Sequence, residues 1–387
     1  MNLSLQVKKM LNSEHTGEYV EILLPPAPAE EAPAPKKRAK KQSRRKERKE
    51  EPASFMPTTA DGDPIESVRF VTPPQAAAEE PAAEPAAPVT PEEPEQEAAP
   101  VVEAEPEPRT VRTADYDPYA GQKREAAKIH YFEAGSGEPL LLLHTVGQSA
   151  FTWRKVFYEL SRYYRVIAPD LPGHGFSARP ETFCYSIEEQ AAAMELLLDA
   201  LHIESTHVMA FGMASAYALR LAQTAPERIG RIILLTPGGL TDEMPSAVRM
   251  LDSPFWGAIA CRMLSLKKVR QILENAVFDL TALGEDTPAE YYKTLSDIDS
   301  RLAVRDSLLN YEEDLVLKDL RSVPHDVLLV LGGEDKWRVP QDLDVYHNGL
   351  PNAQFCLIRN AGHLIQEEKP QRLLQTVLEF IPVPVDE

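Results

Sequence analysis

The stretch Thr206 to Ala222, THVMAFGMASAYALRLA, constrains this chain more than any other. His207 to Phe211 is a short apolar run with the hydrophobicity of a buried strand, and small residues follow at once. An alanine- and leucine-rich helical pattern comes next. A strand, a sharp turn and a helix in immediate succession present one residue at the apex of the turn. Residues flanking so tight a turn must be small, and Ala210 and Ala214 meet that demand. The apex itself is Gly212, followed by Met213.

Strand-like runs alternate with helical patterns on both sides of this stretch. Lys128 to Ala134, Leu140 to His144, Tyr164 to Pro169, Arg231 to Thr236, Asp326 to Leu331 and Ala353 to Ile358 read as strands. Trp153 to Tyr163, Ile187 to Leu201 and Pro370 to Phe380 read as helices. Continuous Val/Ile/Leu runs separated by helices predict an α/β fold on a mostly parallel, doubly wound sheet. Residues from about 240 to 323 break the alternation with helical patterns at Ala247 to Leu264, Leu266 to Phe278 and Ala289 to Tyr311. Such a helical insertion is expected to sit as a lid over the carboxyl ends of the strands. Its apolar residues Phe255, Trp256, Met263 and Phe278 suit either a small-ligand pocket or the insertion's own core.

The first 110 residues differ in kind. Residues 3–11 carry a short amphipathic helical pattern and Tyr19 to Leu24 a brief strand, with no core of their own. Residues 36–49, KKRAKKQSRRKERK, form a basic block able to attract a polyanion, an anionic membrane face or a protein partner. Residues 73–108 are almost entirely Pro, Ala, Glu and Val, a composition that cannot bury a core and keeps the chain extended. The expected organisation is therefore a largely disordered region over 1–110 and one domain over 111–387. A net charge of −19 argues against the whole molecule binding nucleic acid. Cys184, Cys261 and Cys356 are far apart, read as buried small hydrophobes, and fit a reducing compartment. No secretory signal or membrane span stands out, so a cytoplasmic location is expected. Neither a metal-ligand spacing nor a phosphate-binding glycine loop occurs, and no cofactor is expected.

From about Ala126 onward the chain resembles the α/β-hydrolase superfamily, in the branch of esterases, epoxide hydrolases, haloperoxidases and C–C hydrolases. The resemblance rests on YFEAGSGEPLLLLH, APDLPGHGFSARP, THVMAFGMASAYALRLA, LGGEDKWRVP and NAGHLIQEEKP, in that order. It implies a nucleophile at the elbow, a histidine base, an acid that orients it, and backbone N–H groups facing an oxyanion. His363 falls on the base. Gly212 falls on the nucleophile, where serine is absent, and Ser215 is the nearest hydroxyl. Counting Gly-x-x-Asp from Gly333 puts Lys336 in the acid's place, with Asp335 beside it as a substitute. Thr145, followed by Val146, stands where the oxyanion loop normally carries the glycine of His-Gly, and Met213 supplies the other N–H.

Two missing groups and an altered oxyanion loop point first to a non-hydrolytic member that binds a small apolar ligand or serves as a scaffold. The alternative is an active enzyme using His363 with a relocated nucleophile or an activated water, oriented by Asp335. A third reading has the N-terminal region recruit a partner while the domain acts as a platform.

Overall fold

The computed structural model describes residues 17–25, 124–241, 243–253 and 255–383. The helical pattern at 3–11, the basic block and the Pro/Ala/Glu segment lie outside them. Eight strands form one sheet in the order β1-β2-β4-β3-β5-β6-β7-β8. They are β1 Glu18–Leu23, β2 Ala126–Ala134, β3 Pro139–Leu143, β4 Arg165–Pro169, β5 Thr206–Phe211, β6 Ile229–Leu235, β7 Asp326–Gly332 and β8 Asn352–Ile358. All neighbours from β4 to β8 pair in parallel, whereas β2 runs antiparallel to both β1 and β4.

Successive residues of a strand point to opposite faces, so a doubly covered sheet needs apolar residues at every position. Leu141, Val208, Ile232 and Leu329 join one core cluster, with Ile187 and Leu197 of helix α2 (Ile187–Ala200) and Leu219 of α3 (Ala214–Thr224). Leu142, Met209, Ile233 and Val330 join the other, with Phe157 of α1 (Phe157–Leu160) and Val377 of α12 (Pro370–Phe380). Helix α2 begins at a capping box that the helical pattern alone does not reveal: Ser186 accepts from the Glu189 N–H, and Glu189 bonds back.

The N-terminal strand corrects an expectation. β1 has no core of its own, yet it is an edge strand of the domain's sheet, with Ile22 and Leu24 buried in the first cluster. Leu24 N–H donates to Glu125 O at 2.9 Å, and Arg124 Nε donates to Leu24 O at 3.1 Å. The chain therefore leaves and re-enters the sheet at one place around residues 26–123.

Among the described residues, six α-helices lie between β6 and β7: α4 Ser246–Arg249, α5 Gly257–Met263, α6 Leu266–Ala276, α7 Thr287–Lys293, α8 Ile298–Leu309 and α9 Glu313–Leu317. Two of the three expected helices are thus interrupted. The first breaks around Leu251-Asp252-Ser253-Pro254, a sequence poor in helix formers. The last breaks at Ser296, because Asp297 caps a new helix by accepting the Ser300 N–H at 2.9 Å. After β7 and β8 follow α10 (Asp344–Gly349), α11 (Ile365–Glu368) and α12. Of the cysteines, Cys261 and Cys356 are buried as expected, whereas Cys184 is exposed.

Candidate functional site

Four turns lie beyond the carboxyl ends of parallel strands: Thr145 after β3, Gly212 after β5, Asp335 after β7 and His363 after β8. Open α/β sheets place their ligands at this edge. The Phe211 ring, last in β5, stands 5.3 Å from the His363 ring and links the elbow to the histidine turn.

Gly212 adopts φ +58°, the left-handed conformation that costs an ordinary residue about 1–2 kcal/mol. Its N–H donates to Leu235 O at 2.9 Å, which fixes the turn against β6. A Cβ at this position would stand 2.6 Å from Thr145 Oγ1 and 3.1 Å from Thr145 Cβ. Both the backbone and the neighbouring side chain therefore select glycine here.

Thr145 does more than crowd the elbow. Its hydroxyl oxygen accepts the Met213 N–H at 3.1 Å. Met213 was expected to offer that N–H to an oxyanion; in the structure it is already engaged by Thr145. The Met213 carbonyl accepts from Tyr311 O–H at 3.0 Å. Met213 and Val146 pack with Leu251, Cys261, Val304 and Leu308, so residues of the inserted helices lie directly against the elbow.

His363 Nδ1 bonds Asp335 Oδ2 at 2.8 Å, with both side chains buried. A carboxylate can only accept, so Nδ1 carries a proton, and in the neutral ring the lone pair is on Nε2. Asp335 is itself held in place, since its Oδ1 accepts the N–H groups of Trp337 at 2.8 Å and Arg338 at 3.1 Å. Lys336, assigned to the acid position by its motif, is exposed and its neighbour makes the bond. The reason is a frame. Two glycines end the strand, and Gly-x-x-Asp counted from Gly332, the last residue of β7, lands on Asp335. Gly332 cannot carry a side chain there, because a Cβ would stand 2.1 Å from Gly362 O.

Ser215 lies within α3, fully buried, and its hydroxyl has no hydrogen-bond partner. The expected pocket residues are not inside. Phe255, Trp256, Met263 and Phe278 are 72, 55, 57 and 49% exposed. Their helices turn Ala260, Cys261, Leu273 and Ala276 inward instead.

Contacts invisible to sequence patterns hold the histidine turn against the insertion. His363 N–H donates to Ala276 O at 2.7 Å, and Trp337 Nε1 donates to Asn275 Oδ1 at 2.7 Å. Glu368 accepts the N–H groups of Phe278 at 2.8 Å, Asp279 at 2.9 Å and Gly362 at 2.6 Å. Next to it, buried Glu367 pairs with Arg154 and accepts Tyr291 O–H at 2.8 Å. Burial opposes the Glu367 charge, but Arg154 and Lys155 outweigh it and hold the carboxyl below its ordinary range. The Glu-Glu pair following His363 in the sequence is the one signal that could have revealed this clamp.

Two further histidines are structural. His144 Nε2 accepts the Leu171 N–H at 2.9 Å while Nδ1 donates to Thr145 O at 2.9 Å, so the ring is neutral. Burial pushes His174 down to about 3, assisted by His144. Among the described residues, no three His, Cys, Asp or Glu side chains cluster as metal ligands.

The sequence and the fold have parallels. A hydrolase of unassigned function from Bacillus subtilis is 28% identical over 254 residues, spanning 65% of this chain and 92% of that protein. The 2-hydroxy-6-oxo-2,4-heptadienoate hydrolase of Pseudomonas putida is 26% identical over 264 residues, spanning 64% of this chain and 91% of its own. The crystal structure of Cfl2 from Burkholderia cenocepacia superposes with a TM-score of 0.60 at 22% identity, covering 66% of this chain and 92% of that one. The sequence profile described as the alpha/beta hydrolase family matches residues 140–376, and the chain belongs to that family.

Proposed function

We propose that this protein acts without a covalent serine intermediate, with His363, oriented by Asp335, serving as a general base in the site beside the Gly212 elbow. The observation that carries this reading is the buried 2.8 Å bond between Asp335 and His363. It leaves Nε2 free to take a proton from a bound water or from a substrate hydroxyl, and Asp335 stabilises the resulting imidazolium. General-base assistance of this kind contributes about 10²–10⁴-fold in rate. Gly212 supplies no oxygen for attack, and the Met213 N–H is bonded to Thr145 rather than open to an oxyanion. Relatives named as 2-hydroxy-6-oxo-dienoate hydrolases make that compound class the first to test, beside esters, epoxides and 1,3-diketones.

A second reading, a pseudo-hydrolase that binds a small apolar ligand without turnover, draws support from the apolar packing of Leu251, Val304 and Leu308 against Met213. In both readings the inserted helices act as the lid of the site.

The test is a turnover panel run on the wild type, His363→Ala and Asp335→Asn. The general-base reading expects turnover that falls about 10²-fold or more in both variants. Turnover indifferent to both substitutions contradicts it. Binding of a panel compound with no turnover decides for the second reading.

A further inference from the structure

Helix α5 buries Ala260 and Cys261, yet it and its flanks turn their largest apolar side chains to solvent. Trp256, Ile259 and Met263 are spaced three and four residues apart, which places them on one helical face, and all three are exposed. Phe255 packs edge-on against Trp256 with ring centroids 5.0 Å apart, and Leu266 opens the next helix, also exposed. A soluble surface helix normally shows water its polar face.

The charge within the segment that carries this face is one-sided. From Phe255 to Leu273 the chain has Arg262, Lys267, Lys268 and Arg270 and no Asp or Glu, although the molecule carries a net charge of −19. Apolar and aromatic side chains framed by Lys and Arg are what an anionic lipid surface recognises: the rings enter the headgroup boundary while the cations meet lipid phosphates. A two-fold contact between copies would instead set like charges against each other. A second cationic element, residues 36–49, contains ten Lys or Arg against one Glu. Stable peripheral attachment generally requires two such signals.

We infer that the face formed by Phe255, Trp256, Ile259 and Met263 docks the protein onto an anionic lipid surface. Docking is peripheral: among the described residues no helix is long and apolar enough to cross a membrane.

The protein carries its own reporter. Trp153 and Trp337 are buried, so Trp256 is the exposed tryptophan. Full-length protein is titrated with phosphatidylcholine vesicles, with and without phosphatidylglycerol, while emission and co-sedimentation are followed. The expected result is a blue shift and quenching by brominated acyl chains with phosphatidylglycerol vesicles only, both absent in Trp256→Phe. Phe255→Ser with Ile259→Ser, and separately Lys267→Glu with Lys268→Glu, should weaken binding about tenfold. Phe255, Ile259 and Lys267 are exposed and Lys268 half-buried, so an unchanged melting temperature verifies folding. Co-sedimentation without any change in Trp256 emission would mean that residues 36–49 act alone and would overturn the inference. So would binding indifferent to lipid charge, or a vesicle-independent dimer abolished by Phe255→Ser with Ile259→Ser.

Discussion

The Thr145 hydroxyl oxygen lies 2.6 Å from the point where a Cβ on residue 212 would stand, and the same oxygen accepts the Met213 N–H at 3.1 Å. One side chain, from 68 residues away, thus occupies the space next to the elbow and engages its backbone donor. Glycine at position 212 and threonine at position 145 form a single packing arrangement.

Gly212→Ser alone should therefore not create a working nucleophile. The new side chain meets Thr145 in a left-handed backbone, and the variant should lose about 1–3 kcal/mol by urea unfolding. Thr145→Gly in the same chain should recover part of that loss and free the Met213 N–H. Equal stability of the single variant and the wild type contradicts this packing account.

Asp335→Asn retains an oxygen for the Trp337 and Arg338 N–H groups but turns an amide N–H₂ toward Nδ1 of His363. The ring must then accept at Nδ1, so its tautomer reverses, which ¹⁵N NMR of His363 reads directly. Lys336→Ala, on an exposed side chain, should leave the tautomer unchanged and stability within about 0.5 kcal/mol.

Arg154→Met removes one of the two cations that face buried Glu367, leaving Lys155 at 3.2 Å, and should cost up to about 3–5 kcal/mol, measured by urea unfolding. The pH dependence has a defined sign. Glu367 lies below its ordinary value of 4.5 when folded. Its contribution is complete above about 4.5, the unfolded range, and is lost as pH falls through the folded value. The acid limb of the melting curve should be shallower in Glu367→Gln.

His174 binds its proton only near pH 3 when folded, because burial disfavours the cation, whereas the unfolded ring does so near 6.5. Unfolding therefore takes up a proton between these values, and stability is lost as pH falls across that window, by at most about 1.4 kcal/mol per unit for this group. His174→Asn, keeping a donor for Pro172 O, should flatten this slope in urea titrations at successive pH values. An unchanged slope contradicts a buried neutral ring.

Much of this architecture is readable in the chain because strand runs such as Leu140 to Leu143 and the Gly212 turn are local signals. The base position at His363 is local as well. Asp335 was obscured by two adjacent glycines that permit two frames; only the end of β7 at Gly332 decides between them. The Thr145–Gly212 contact and the pairing of β1 with β2 join residues far apart in sequence, where no periodicity reports on them. Phe255, Trp256 and Met263 show the limit of composition: apolar character does not say which way a short helix faces.

The most direct test of the central claim is intact-mass and peptide analysis after exposure to a fluorophosphonate, a probe that labels activated serine. The wild type should carry no adduct in its site. Gly212→Ser with Thr145→Gly should gain one at residue 212 that disappears when His363→Ala is added. Stoichiometric labelling of the wild type at Ser215 or Thr145, abolished by His363→Ala, would contradict the account.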